Sequence, residues 1–237
     1  MTGGVVVILG SAPAAVQAVD WPRPLPGTLL AINNAWRICP DWQVLIHPED
    51  LPPDRLPGRL DPGQRIVTAA EYVPVQNRYG GFLLAGATMA FTAGYWALGA
   101  LEPRVLAWFG CDLVYPATGP THFYGTGQPD PLRADLSLRN LEAKSARLLL
   151  LAAARGCACV NLSAGESRLV FPRSTLAALA NERPLAPPDL AAPLATEARL
   201  GYDTPTGRYD HVARRVDLTE LDALDTTWLS LAKEILR

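Results

Sequence analysis

The stretch Gly4–Leu9, GVVVIL, followed at once by Gly10-Ser11-Ala12-Pro13, decides the fold class. It is an uncharged run, rich in β-branched side chains and too short for a globular helix. Such a run reads as a strand buried on both faces, as in a parallel sheet covered on each side. Gly10 and Pro13 break it, and Ala14–Val19 has helical composition. Working outward, similar runs recur at Leu29–Asn33 (LLAIN), Trp42–Ile46 (WQVLI), Arg65–Thr68 (RIVT), Arg104–Phe109 (RVLAWF) and Cys157–Leu162 (CACVNL). Between them, a helix is expected from about Ala87 to Leu98, stopped by Gly99. A second is expected over Leu136–Arg155, with Gly156 as its C-cap. Pro52–Pro62, Tyr115–Pro131 and Ser163–Arg173 read as loops.

Strands alternating with segments of crossover length predict an α/β chain. Its architecture is a Rossmann-like, mostly parallel sheet with helices on both faces, plus a C-terminal helical appendage. Residues 1–182 form the expected nucleotide-binding core. Residues 183–237 form a Pro/Ala-rich linker, Pro184–Pro193, and an appendage with an amphipathic helix over Leu218–Leu236. That appendage is expected to pack on the core or on a second subunit, which leaves a homo-oligomer open.

Composition narrows the function classes. The 237 residues are 49% hydrophobic and carry a formal charge of −2. No basic stripe is present, so nucleic acid is not an expected partner. The basic residues are nearly all arginine, Lys144 and Lys233 being the lysines. Cys39, Cys111, Cys157 and Cys159 are scattered, without the second close pair or nearby histidines of a zinc site, and read as free thiols in a reducing cytoplasm. The chain opens directly into a strand, with no signal-peptide pattern. Gly80–Leu101 is uncharged and long enough to span a bilayer, but its Gly, Ala and Thr content fits a loop and a buried helix better, so no transmembrane segment is expected.

In open parallel sheets ligands bind beyond the carboxyl ends of the strands. Here those ends carry Gly10-Ser11-Ala12-Pro13, Asn33-Asn34, His47-Pro48 and Gly110-Cys111-Asp112. The first is neither a G-x-G-x-x-G turn nor a Walker loop, which disfavours nicotinamide and P-loop chemistry. It is a short turn able to seat an anion or ribose. An Asn amide at Asn33 or Asn34 offers both a donor and an acceptor to a base or ribose edge. Ala85-Gly86-Ala87-Thr88 precedes a helix and can bring backbone amides to a phosphate. His122, one of three histidines, lies in Thr121-His122-Phe123-Tyr124-Gly125 on the long polar loop, a fair position for a general base. Tyr115 and Tyr124 can donate to a departing phosphate, and Arg133 and Asp135 can close the loop as a surface pair. The chain has no D-x-D motif for a metal-bound nucleotide diphosphate and no G-x-S-x-G elbow.

Taken in order, these motifs resemble those of the bacterial sialyltransferases of surface-glycan synthesis, and of related pterin diphosphokinase-like proteins of the same Rossmann-like superfamily. The resemblance runs from about Val5 to Ser167 and lies in motif order. Gly10-Ser11-Ala12-Pro13-Ala14 stands where that family has a G-N-G-P-S type turn, and Asn33 where an Asn contacts the nucleotide. His47 before Pro48 replaces an Asn before proline, and Ala85-Gly86 a Ser-Gly pair that holds ribose or phosphate. Gly110-Cys111-Asp112 matches a G-x-D, Tyr115 follows, and His122-Phe123-Tyr124-Gly125 is similar to an H-Y-x-G stretch. Asn161-Leu162-Ser163 comes next. The family's lid is shorter here, and Thr126 and Gly127 stand where its base falls.

The resemblance implies a metal-independent glycosyltransferase using a nucleotide-activated sugar, a CMP-linked donor favoured, with no cofactor beyond that substrate. Gly10, Ser11, Asn33, Asn34, His47, Ala85, Gly86 and Asp112 would hold the nucleotide. His122 would take the acceptor's proton, with Tyr115 and Tyr124 at the leaving phosphate. The acceptor would be a glycan or a small molecule. Two other readings stand beside it. One is a Mg²⁺-dependent, diphosphokinase-like phosphoryl transferase holding its metal through Asp112 and Asp130. The other is a non-catalytic nucleotide-binding or assembly protein.

Overall fold

Strand β1 (Val5–Leu9) is buried along its whole length and forms the centre of the molecule. Its five aliphatic side chains each contribute about 1.5–3 kcal/mol by leaving water. The computed structural model describes residues 3–116, 118–126 and 134–237. Around β1 are β2 (Thr28–Ile32), β3 (Val44–Ile46), β4 (Arg65–Val67), β5 (Val105–Phe109) and β6 (Ala158–Asn161). They form one six-stranded sheet in the order β4-β3-β2-β1-β5-β6. Every pairing is parallel. The expected α/β architecture is therefore the one observed, with strand ends shifted by one or two residues.

Side chains alternate between the two faces with the period of a strand. Val6, Ile8, Leu106 and Trp108 point into one apolar cluster, and Val5, Val7, Leu9, Val105, Ala107 and Phe109 into the other. The first cluster is built with α-helices: α1 (Ala69–Asn77), α2 (Gly81–Ala85), α3 (Met89–Ala100), α4 (Leu141–Ala153), α5 (Ala191–Leu200), α6 (Asp210–Ala213) and α7 (Leu218–Ile235). The second is closed by a thinner layer of 3₁₀ turns, Pro13–Asp20, Asn33–Arg37 and Leu176–Ala178.

Several expectations are refined. Gly99 lies inside α3 rather than ending it; a Cβ there would meet Val75 Cγ1 at 2.7 Å, so the glycine lets α1 and α3 approach closely. The helix expected from Leu136 starts as a 3₁₀ turn, Leu136–Leu138, and α4 begins only after Asn140, whose side chain accepts from the Ala143 amide. The uncharged segment from Gly80 is two helices separated at Gly86 and buried within the first cluster. Among the described residues no helix is long and apolar enough to cross a membrane.

The 183–237 segment lies against the α-helical face. Leu221, Leu224, Trp228 and Ala232 of α7 belong to the same apolar cluster as the helices beneath them. Part of the linker-like Pro/Ala stretch is helical, with Pro193 in the first turn of α5, where its missing amide costs little. Buried charges tie the segment down. Lys144 Nζ donates to Asp225 Oδ1 at 2.9 Å, and Arg147 makes a two-pronged contact with Glu197 at 2.6 and 2.7 Å. Burial pushes the Lys144 ammonium down and the Asp225 carboxyl up, against their mutual attraction.

Candidate active site

The strand order reverses direction at β1. The chain leaves β1 toward β2 on one side and returns to it as β5 on the other, so the crevice between the carboxyl ends of β1 and β5 is the switch point of the sheet. A cavity of about 230 Å³ opens there. Its floor is the close approach of two turns. Gly10 N donates to Phe109 O at 2.8 Å and Ala12 N to Gly110 O at 3.0 Å. A Cβ on Gly10 would run into the Gly110 carbonyl and lie 2.5 Å from Cys111 Sγ, so only glycine fits.

Ser11 sits on this floor, 9% exposed, and lines the cavity; among the described residues its hydroxyl makes no hydrogen bond. Its carbonyl accepts from the Phe123 amide at 2.9 Å. That single bond fixes the histidine loop onto the first turn of the chain. The loop is further closed by His122 N to Gly125 O at 2.9 Å and Gly125 N to His122 O at 3.0 Å. His122 is half-buried, and burial lowers its pKa from the usual 6.5, which favours the neutral imidazole. Its Nδ1 lies 2.8 Å from Thr121 Oγ1. Tyr124 stacks on it with centroids 5.0 Å apart and planes at 19°, and the Tyr115 ring lies 6.2 Å away.

Two backbone outliers border the same space. Asn33, at the end of β2, has φ 52° and Leu113 has φ 57°. Such conformations cost non-glycine residues about 1–3 kcal/mol and concentrate at ligand sites. Asn33 also carries a buried side-chain oxygen with no hydrogen-bond partner among the described residues. An oriented, unsatisfied acceptor at a cavity wall is suited to a donor on a ligand.

Helix α3 begins at the cavity. Thr88 Oγ1 accepts from the Phe91 amide at 3.2 Å, which leaves the amides of Met89 and Ala90 without intrahelical partners, and both residues line the cavity. Leu138 and Leu141 bring the start of α4 to the same wall. Among the described lining residues there is no lysine or arginine; the charged side chains are Asp50 and Asp112. Positive potential therefore comes from helix N-termini, each equivalent to about half a charge. Asp112 is steadied by Asn161 Nδ2 at 3.3 Å from its Oδ1.

Of the residues singled out in the sequence, Gly10, Ser11, Asn33, Asp112, Tyr115, His122 and Tyr124 line this one cavity. Asn34, His47, Ala85 and Gly86 do not line it. Asn34 is buried in the 3₁₀ turn below, and His47 Nδ1 lies 2.8 Å from its neighbour Pro48's carbonyl, leaving Pro48 on the wall. Ala85 and Gly86 are buried. Gly86 has φ 87° and breaks the chain between α2 and α3, and the residues exposed to the cavity are those just after it, Ala87–Ala90. Asp135 accepts from Ser137 and from Tyr209 Oη, the latter at 2.6 Å. Arg133, Asp130 and Gly127 lie outside the described residues, and Thr126 is exposed. Sequence reasoning missed Asp50, Leu113 and Thr121. Thr88 was legible as an N-cap before an apolar helix.

Comparison of the chain with family models, with curated proteins and with solved structures finds no match. Fold alone does not select a function, so the chemistry of this cavity carries the functional reading.

Proposed function

We propose that the chain transfers a sugar from a nucleotide-activated donor, with a CMP-linked donor favoured, to a hydroxyl acceptor, without a resident metal. The observation that carries this reading is a half-buried histidine, its neutral form favoured by burial, clamped to the switch-point turn by the bond from Phe123 N to Ser11 O. A general base must be unprotonated at working pH and within reach of the reacting atoms, and such a base typically contributes ~10²–10⁴ in rate. In the proposed step His122 Nε2 takes the acceptor hydroxyl's proton as that oxygen attacks the anomeric carbon. The bond from that carbon to the donor phosphate breaks, and the nucleoside monophosphate leaves. Tyr115, Tyr124 and the α3 amides of Met89 and Ala90 meet the charge that grows on the phosphate.

Charge matching favours a monophosphate-linked donor. The described lining sets two helix N-termini, at about half a charge each, against two carboxylates and no basic side chain, so a singly charged phosphodiester is better tolerated than a diphosphate. Ser11 and Asn33 offer polar groups to ribose or base, and the carboxylates of Asp50 and Asp112 suit sugar hydroxyls. The same two carboxylates are the feature that a Mg²⁺-dependent phosphoryl transferase would use, with substrate phosphates completing the metal's shell.

The test joins binding and turnover. CMP at 100 times its dissociation constant should stabilise the protein by roughly 2.7 kcal/mol. At about 2–4 °C per kcal/mol, that is a rise in Tm of about 5–11 °C. No shift with any nucleotide would overturn the reading in favour of a non-nucleotide role. With a transferable donor, the His122→Gln variant should lose about 10²–10⁴ in kcat. Turnover abolished by a chelator would move the assignment to phosphoryl transfer.

A further inference from the structure

A neutral imidazole has two tautomers, and free in water it prefers the proton on Nε2. A base acting through Nε2 needs the other one. His122 has little freedom left except this choice. Its backbone is held by the reciprocal bonds with Gly125, its neighbour Phe123 is held by Ser11, and its ring plane is held by Tyr124. Nδ1 faces Thr121 Oγ1 at 2.8 Å, and Nε2 makes no hydrogen bond among the described residues. A hydroxyl can accept from an N–H as readily as donate to a bare nitrogen.

We propose that Thr121 is the positioning residue of this site: its Oγ1 accepts from Nδ1–H of His122, which fixes the ring and leaves Nε2 unprotonated toward the cavity. The inference rests on the transfer reading for its chemical purpose, whereas the tautomer itself is measurable without turnover. The same device, a fixed acceptor on the far nitrogen, sets the reactive tautomer in hydrolase triads, where the wrong tautomer costs about 10⁴ in kcat. A neutral hydroxyl is a weaker orienter than a carboxylate. The expected loss for Thr121→Val is therefore on the order of 10-fold in kcat with KM unchanged, well under that bound.

The experiment is a long-range ¹H–¹⁵N correlation spectrum of the full chain labelled with ¹⁵N-histidine at pH 7.5. Only three histidines contribute, and His122 is assigned by the signal missing in His122→Gln. The wild type should give the Nδ1–H pattern. Thr121→Ser should keep it, and Thr121→Val should revert to Nε2–H, with the His47 and His211 signals unmoved as the check on folding. An Nε2–H pattern in the wild type overturns the proposal, whatever the variants do. So does a Thr121→Val protein that keeps the wild-type pattern. An Nδ1–H wild type that transfers no sugar from any nucleotide donor leaves Thr121's role standing and removes the transfer reading.

Discussion

Replacing Glu197 with alanine tests how the 183–237 segment is held. Arg147 is fully buried, and its guanidinium spends its donors on four acceptors. Nε and Nη2 bind the two oxygens of Glu197 at 2.6 and 2.7 Å, Nη1 binds Tyr95 Oη at 2.8 Å, and Nη2 also binds Tyr79 O at 2.7 Å. The guanidinium also lies 5.6 Å from the centre of the Trp228 ring. Removing the carboxylate leaves a buried cation without its counter-charge, which costs about 3–5 kcal/mol. Trp228 Nε1 loses its acceptor as well, since it donates to Glu197 Oε1 at 2.9 Å, which adds about 1–3 kcal/mol. At about 2–4 °C per kcal/mol, the melting temperature should fall by about 8–30 °C. Scanning calorimetry measures it directly. The double replacement Arg147→Met with Glu197→Leu should recover much of the loss, because neither charge is then left alone. A Glu197→Ala protein melting within about 2 °C of the wild type would refute the reasoning.

Four further outcomes are expected. Gly10→Ala must push apart the ends of β1 and β5; it should cost about 1–3 kcal/mol in urea unfolding and abolish nucleotide-induced stabilisation. Thr88→Ala removes the cap of α3 and should cost about 0.5–2 kcal/mol, with a matching loss of affinity for CMP by calorimetric titration. Asn33→Gly relieves a left-handed backbone and should raise stability by up to about 1 kcal/mol while weakening ligand binding, both readable from one thermal-shift series. For His122, whose pKa burial lowers from 6.5, the transfer rate should climb with the neutral fraction to a plateau with its midpoint below pH 6.5, and a midpoint above that value would contradict its burial. Stability has the same sign. The unfolded chain takes up the proton first as pH drops below 6.5, so the ring's contribution is present above that pH and lost as pH falls through the folded value.

What the sequence made legible follows from where the physics is local. The strands at Val5–Leu9 and Val105–Phe109 are continuous apolar runs, and burial on both faces needs nothing else to be recognised. The turn residues after them are legible for the same reason, since a ligand crevice lies where strands end. Helix α1 was not readable: Pro74 sits in its middle and its apolar residues keep no helical period. The Ala85-Gly86 position was two residues early because Gly86 serves the chain reversal, and the amides that reach the cavity come just after it. The bond between Phe123 and Ser11 and the left-handed Leu113 have no local signature at all, being imposed by elements far apart along the chain.

The strand order has a consequence for biosynthesis. One edge of β1 is covered once β2 is complete at Ile32, but the other waits for β5, which ends only at Phe109. At roughly 5–20 residues per second on the ribosome, the central strand keeps an open, wholly aliphatic edge for on the order of 4–15 s. The danger of mispairing with a neighbouring nascent chain is concentrated in that interval, and slower elongation between these two strands would lengthen it.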